Sequence, residues 1–127
     1  MFRQSSLFLI FGVVLSLAHL SSCQNWETFQ KKHLTSNLKV DCDKEMRKAL
    51  FDCKSRNTFI YSLPGPVQAL CRGIAGPRNT LSRDMFTLID CIEKSKHCQY
   101  KDKTSKNVIC ITCEHELPVH FVGVGSC

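Results

Sequence analysis

Hydrophobic and polar positions alternate with two different periods along this chain, after an opening stretch that follows neither. MFRQSSLFLIFGVVLSLAHLSSC carries Arg3 near its start, then an apolar run from Leu7 to Leu17, then small and polar residues. From Gln24 the helical period takes over. QNWETFQKKHL spaces Trp26, Phe29 and His33 along one helix face. Thr35-Ser36-Asn37 signals a turn. DCDKEMRKALFDC then repeats the period through Cys42, Met46, Ala49 and Cys53, with Asp41 or Asp43 as a start signal. The two prolines of PGPVQALCRGI suit a turn leading into a short helix at Val67 to Cys71.

Elsewhere the composition turns β-branched and aromatic. NTFIYS from Asn57 reads as a strand, and RDMFTLIDCIE from Arg83 as a longer one. QYKDKTSKNVICITCE reads as a hairpin with a basic loop at Lys101 to Lys106, and PVHFVGV as the final strand. Helices early and antiparallel strands late predict an α+β domain. The chain has no internal repeats, heptads or low-complexity tracts.

Composition changes this picture in two ways. The opening apolar run is too short for a comfortable membrane span, and no stop-transfer pattern follows it. With Ser21 and Cys23 suitably placed for signal peptidase, residues 1–23 are expected to be a cleaved signal and 24–127 the domain. No membrane span is then left. Cleavage lowers the cysteine count from nine to eight: Cys42, Cys53, Cys71, Cys91, Cys98, Cys110, Cys113 and Cys127. An even count in a small secreted chain implies a disulfide framework with four bridges. Cys110 and Cys113 lie three apart on a predicted strand and face opposite ways, so they should bond to different partners. That argues against reading their Cys-x-x-Cys as a redox or zinc motif.

Charge is the second change. The signal holds one base and no acid, so the mature chain keeps 17 − 1 = 16 Lys/Arg against 11 Asp/Glu, a net +5. A cationic surface favours polyanions such as nucleic acid, sulfated glycans or anionic lipid. Gln24, once exposed as the new terminus, can cyclise to pyroglutamate.

Three separated stretches carry the chemistry: Phe29-Gln30-Lys31-Lys32-His33, Cys53-Lys54-Ser55-Arg56-Asn57-Thr58-Phe59, and Val119-His120-Phe121. Taken singly, each histidine or lysine would be read as a packing or solvated residue. Taken together, the FxxxH helix, the CKxxNTF loop-strand and the terminal VHF strand resemble the pancreatic-ribonuclease superfamily, in its order and over the whole of residues 24–127. The amphibian branch, of the onconase and frog-egg sialic-acid-binding type, is the most similar. Gln24, Lys31-Lys32-His33, Thr112-Cys113-Glu114 and the ending HFVGVGSC carry that likeness.

The resemblance implies three short helices packed on a bent antiparallel sheet, and a secreted, extracellular, monomeric endoribonuclease that cuts single-stranded RNA after pyrimidines. It implies His33 as general base, His120 as general acid and Lys54 as the cation that stabilises the phosphate, assisted by the Phe121 amide. Two histidines suit a reaction that removes one proton near neutral pH and returns another. No metal or other cofactor is expected, since the 2′-hydroxyl is itself the nucleophile. Thr58 is expected to read the pyrimidine through its backbone N–H and hydroxyl, with Phe121 packed on the base and Asp90 bonded to the threonine and tuning its preference. Lys32 would contact phosphate, with cyclised Gln24 folded onto it, and Thr112 and Glu114 would favour guanine on the 3′ side. Of the 105 possible pairings, the resemblance selects Cys42–Cys91, Cys53–Cys98, Cys71–Cys113 and Cys110–Cys127. Mammalian members place an aspartate two residues after the terminal-strand histidine, where this chain has Val122. His97 and His115 fall outside the motif and are expected at the surface.

The charge also fits another class: a lectin for sialoglycans and other anionic cell-surface glycans, or a membrane-active defence protein, acting without catalysis. Such a protein would have no use for His33, Lys54 and His120 together.

Overall fold

The computed structural model describes residues 25–95 and 97–127. The expected signal segment and Gln24 lie outside these described residues. Helix α1 (Trp26–His33) starts where the Asn25 side chain accepts the Thr28 backbone N–H at 2.8 Å, an N-cap. It buries Phe29 and ends at Leu34, whose extended backbone runs directly into the short strand β1 (Leu34–Thr35). The turn signal at Thr35 therefore marks the end of a strand.

Helix α2 (Cys42–Met46) is capped by Asp41, which accepts the Lys44 N–H at 3.2 Å. It stops well short of the predicted Cys53. Asp52 and Cys53 have φ of 48° and 54°, and the Cys53 N–H bonds back to Met46 at 2.8 Å. This reversal buries Phe51 and leaves Ala49 exposed, so the helical period did not continue. Strand β2 (Arg56–Tyr61) follows. Helix α3 (Pro64–Gln68) begins earlier than the predicted Val67, because Pro64 opens its first turn; a 3₁₀ turn at Ala69–Cys71 completes it.

The remaining strands are β3 (Arg78–Leu81), β4 (Phe86–Ser95), β5 (Gln99–Asn107), β6 (Ile109–Glu114) and β7 (Leu117–Val124). They form two sheets, ordered β1-β2-β4-β5 and β3-β6-β7. All pairings are antiparallel except β1 with β2. Residues 99–114 do not form the predicted hairpin. β5 pairs with β4, β6 pairs with β3 and β7, and Lys101 to Lys106 form ladder pairs within β5. The chain changes sheets at Val108, between strands so close in sequence that patterning alone reads them as one hairpin. β3, too polar to show a period, was not predicted.

Each sheet face needs a partner layer. Phe29, Ile60, Leu88, Ile109 and Ile111 pack in one core under α1, while Met46, Phe51, Phe59, Ile89 and Tyr100 pack in another under α2. Ile60 and Phe59 are neighbours on β2 yet belong to different cores, as do Leu88 and Ile89 on β4. That is why β2 and β4 read as apolar runs and do not alternate. Four disulfides join the layers: Cys42–Cys91, Cys53–Cys98, Cys71–Cys113 and Cys110–Cys127, the pairs that the resemblance implies. No described helix is long and apolar enough to cross a membrane.

Candidate active site

α1, β2 and β7 meet around an open cleft of about 620 Å³ whose walls include Lys32, His33, Lys54, Thr58, His120 and Phe121. Residues distant in sequence converge because α1 lies across β2 and β7, held by Phe29 beneath it. His33, at the last turn of α1, has its Nδ1 2.9 Å from the Thr58 carbonyl oxygen. A carbonyl only accepts, so Nδ1 carries the proton and Nε2 is the basic nitrogen. The ring also stacks on Phe121, with centroids 5.1 Å apart. Burial pushes the His33 pKa down to about 4; the Thr58 carbonyl partly opposes this, while the charges of Lys54, Lys32 and His120 add to the fall.

Lys54 follows the left-handed Asp52–Cys53 turn, and its backbone carbonyl accepts the Tyr100 hydroxyl at 2.7 Å. Its ammonium stands 5.6 Å from the Phe51 ring centroid, within cation–π range. Partial burial, and then the neighbouring Lys32, hold its pKa below the usual lysine value. His120 is exposed on β7, paired with Thr112. Phe121 turns into the core, whereas Val122 stays 40 % exposed. The register also shifts beside Val122: Gly123 faces Cys110 and Phe121 faces Ile111, leaving Val122 as an extra residue, a β-bulge.

On the other wall, Thr58 on β2 faces Asp90 on β4, and its hydroxyl donates to Asp90 Oδ1. Among the described residues, no group of three His, Cys, Asp or Glu side chains could hold a metal ion.

Comparison with known proteins identifies the family. The family model for pancreatic ribonuclease matches residues 24–122. The chain belongs to the pancreatic ribonuclease family. It is 56 % identical to Protein P-30 of Lithobates pipiens over 104 residues, covering 82 % of this chain and 100 % of that protein. Oocytes ribonuclease of Aquarana catesbeiana is 41 % identical over 129 residues, 96 % of each chain. Among solved structures, a cytotoxic ribonuclease from Rana catesbeiana, complexed with d(ApCpGpA) and (2′,5′CpG), superposes with TM-score 0.80 at 57 % identity, covering 82 % of this chain and 99 % of that one. Amphinase, a cytotoxic ribonuclease from Rana pipiens oocytes, superposes with TM-score 0.75 at 40 % identity, covering 80 % and 98 %.

Within this ribonuclease, not every residue singled out from sequence lines the cleft. Asp90 lies behind the cleft wall, bonded to the lining residues Thr58 and Arg56. Thr112 sits behind His120, with its hydroxyl donating to Asn79 at 2.8 Å. Glu114, at the far end of β6, pairs with Leu117 and is half exposed. His97 and His115 are both exposed and away from the cleft. Among the lining residues that the sequence did not single out, Asn57 and Arg56 make side-chain hydrogen bonds. Asn57, buried, donates its amide to the Lys32 carbonyl at 2.8 Å and so ties β2 to the end of α1, while its Oδ1 has no hydrogen-bond partner. Arg56 bonds Asp90 Oδ2 at 3.1 Å. Asn57 lies in the CKxxNTF motif and could have been weighed; nothing in the sequence marked Arg56.

Proposed function

We propose that this ribonuclease is a secreted, metal-independent endonuclease that cleaves RNA on the 3′ side of pyrimidines. His33 Nε2 takes the proton from the 2′-hydroxyl, whose oxygen attacks phosphorus to form a 2′,3′-cyclic phosphate. The bond to the 5′-oxygen breaks as His120 supplies that oxygen with a proton. Water then opens the cyclic phosphate with the two histidines in exchanged roles. Lys54 and the Phe121 amide stabilise charge on the non-bridging oxygens, where one well-placed donor contributes about 3 kcal/mol. Lys32, with cyclised Gln24, binds phosphate. Thr58 reads the base, and Thr112 and Glu114 favour guanine on the 3′ side.

The observation that carries this reading is the His33–Thr58 bond. One contact fixes the basic nitrogen of a histidine and the backbone of the pyrimidine-reading residue in a single cleft with Lys54 and His120. Cleavage of a panel of dinucleotides by the purified chain tests it. Turnover confined to pyrimidine-first dinucleotides, with cyclic phosphate as first product, is the expected result; purine-first cleavage at equal rates would overturn it. Both of the similar solved structures are of cytotoxic ribonucleases, which supports a cytotoxic or host-defence role for this chain.

A second reading has its own support. Lys101 and Lys103 share one face of β5, an edge strand of its sheet, with Lys106 exposed further along it, and this cationic edge suits anionic cell-surface glycans. Agglutination or killing of cells by the His33→Ala/His120→Ala variant would show a role independent of catalysis.

A further inference from the structure

The Asp90 carboxylate is shared between two residues of one strand. Oδ1 accepts the Thr58 hydroxyl, and Oδ2 accepts Arg56 Nη2 at 3.1 Å. Arg56 and Thr58 stand two apart on β2 and so face the same way, and Asp90 lies directly across from Thr58. The Asp90 side chain is 8 % exposed, that of Arg56 58 %. A carboxylate so deeply buried needs its partners, because an unpaired one would be strongly disfavoured. With Oδ2 fixed by a guanidinium, Oδ1 is aimed at Thr58.

This has a consequence at the base. A threonine hydroxyl has one proton to give. Committed to Asp90, it offers only lone pairs to a ligand in the cleft. The N3 position of uracil carries a hydrogen and can donate to that oxygen. The N3 of cytosine is an acceptor, so Thr58 would have to turn its proton to the base and give up the bond to Asp90. We infer that Arg56 is a positioning residue that biases base reading toward uracil over cytosine by locking Asp90 onto the Thr58 hydroxyl. The inference rests on the proposed role of Thr58 as pyrimidine reader and assigns its finer selectivity to a residue outside the sequence motif. Without Arg56, the carboxylate can swing from Thr58 toward water, and the hydroxyl becomes free to donate to cytosine.

The test compares kcat/KM for UpG and CpG in the wild type, Arg56→Ala, Arg56→Lys, Asp90→Asn and the Arg56→Ala/Asp90→Asn double variant. Losing a hydrogen bond to a charged group should lower the uridine-to-cytidine ratio about three- to tenfold in Arg56→Ala, with most of the loss on uridine. Arg56→Lys should retain more of the bias than Arg56→Ala. Asp90→Asn should lower the ratio as well, and adding Arg56→Ala to it should change the ratio no further, since the arginine acts only through that carboxylate. An equal fall on both substrates would make Arg56 a general phosphate contact and overturn the inference, as would a further fall of the ratio in the double variant. Failure of the pyrimidine reading itself shows separately, as a wild type that cleaves ApG as readily as UpG.

Discussion

His33 donates its Nδ1 proton to the Thr58 carbonyl oxygen at 2.9 Å, so backbone from the second motif sets the tautomer of the histidine in the first. The same contact limits how far the ring can turn, and Phe121 stacks on its face. The imidazole is thereby oriented without a carboxylate.

The position of His33 predicts the pH dependence. Burial is the main reason its pKa falls to about 4, and the surrounding cations add to it. A histidine with so low a pKa is unprotonated throughout the neutral range, the state that its proposed role as base requires. The acid limb of kcat/KM, which reports the free enzyme, should bend near pH 4 to 5, not near the usual histidine value of about 6.5. The same shift bears on stability. The folded pKa lies below the unfolded one, so the folded state resists protonation that the unfolded chain accepts. The stabilisation is complete above about pH 6.5 and is lost as pH falls to about 4, on the order of 3 kcal/mol. Urea unfolding across that window, comparing wild type with His33→Ala, measures it; parallel curves would show no linkage through His33.

Removing the charged and titrating groups should separate their roles. His33→Ala and His120→Ala should each lower kcat/KM by about two to four orders of magnitude, the usual contribution of a positioned acid or base. Lys54→Ala should lower it about a hundredfold or more through kcat, since in the proposed mechanism the charge it meets develops in the transition state. Thermal unfolding should barely change for Lys54→Ala, since the side chain is only partly buried. A Lys54 variant that altered only KM would assign the lysine to ground-state binding.

Much of this architecture was legible before the fold was known, and the failures have physical causes. α1 declared itself because Trp26, Phe29 and His33 recur at helical spacing along one face, and the structure adds an Asn25 cap where that pattern begins. β2 and β7 were legible as β-branched, aromatic runs. The second helix was overextended because Ala49 and Cys53 continue the period, whereas the φ values of Asp52 and Cys53 end it, and neither residue type announces a left-handed turn. The β5–β6 error came from adjacency: the sheet switch at Val108 depends on Ser82, far upstream, which exchanges bonds with Ile109 in both directions at 2.9 Å. At the site, the motif residues were readable because they recur as a set. Arg56 was not, since its meaning lies in a cross-strand partner that the linear sequence does not show.

Phe29 links the core to the cleft. It is 2 % exposed, stacks on Trp26 at 5.8 Å and sits 5.3 Å from the His33 ring. Phe29→Ala should cost about 3–5 kcal/mol from lost burial and the cavity left behind. It should also reduce activity at temperatures where the variant is still folded, because α1 would no longer be fixed against β2 and β7. Chemical denaturation gives the first quantity and kcat/KM at low temperature the second. A destabilised variant with unchanged kcat/KM would show that the Thr58 and Asn57 bonds alone hold the end of α1.

The Cys110–Cys127 bridge should matter to stability far more than to chemistry. It closes a sequence separation of 17, which corresponds to about 3 kcal/mol in the chain-entropy treatment. For a domain of this size that amounts to a fall in Tm of roughly 12–24 °C in the Cys110→Ala/Cys127→Ala variant. Yet His120 and Phe121 are held by ladder pairs with Thr112 and Ile111, on the far side of the Val122 bulge from the bridge. The bulge lets the strand end loosen without passing a shift of register to the histidine. Activity at 25 °C should therefore stay within a few fold of wild type while the melting temperature drops. A loss of kcat/KM comparable to that of His120→Ala would show instead that the bridge sets the position of His120, and that the β6–β7 ladder alone does not.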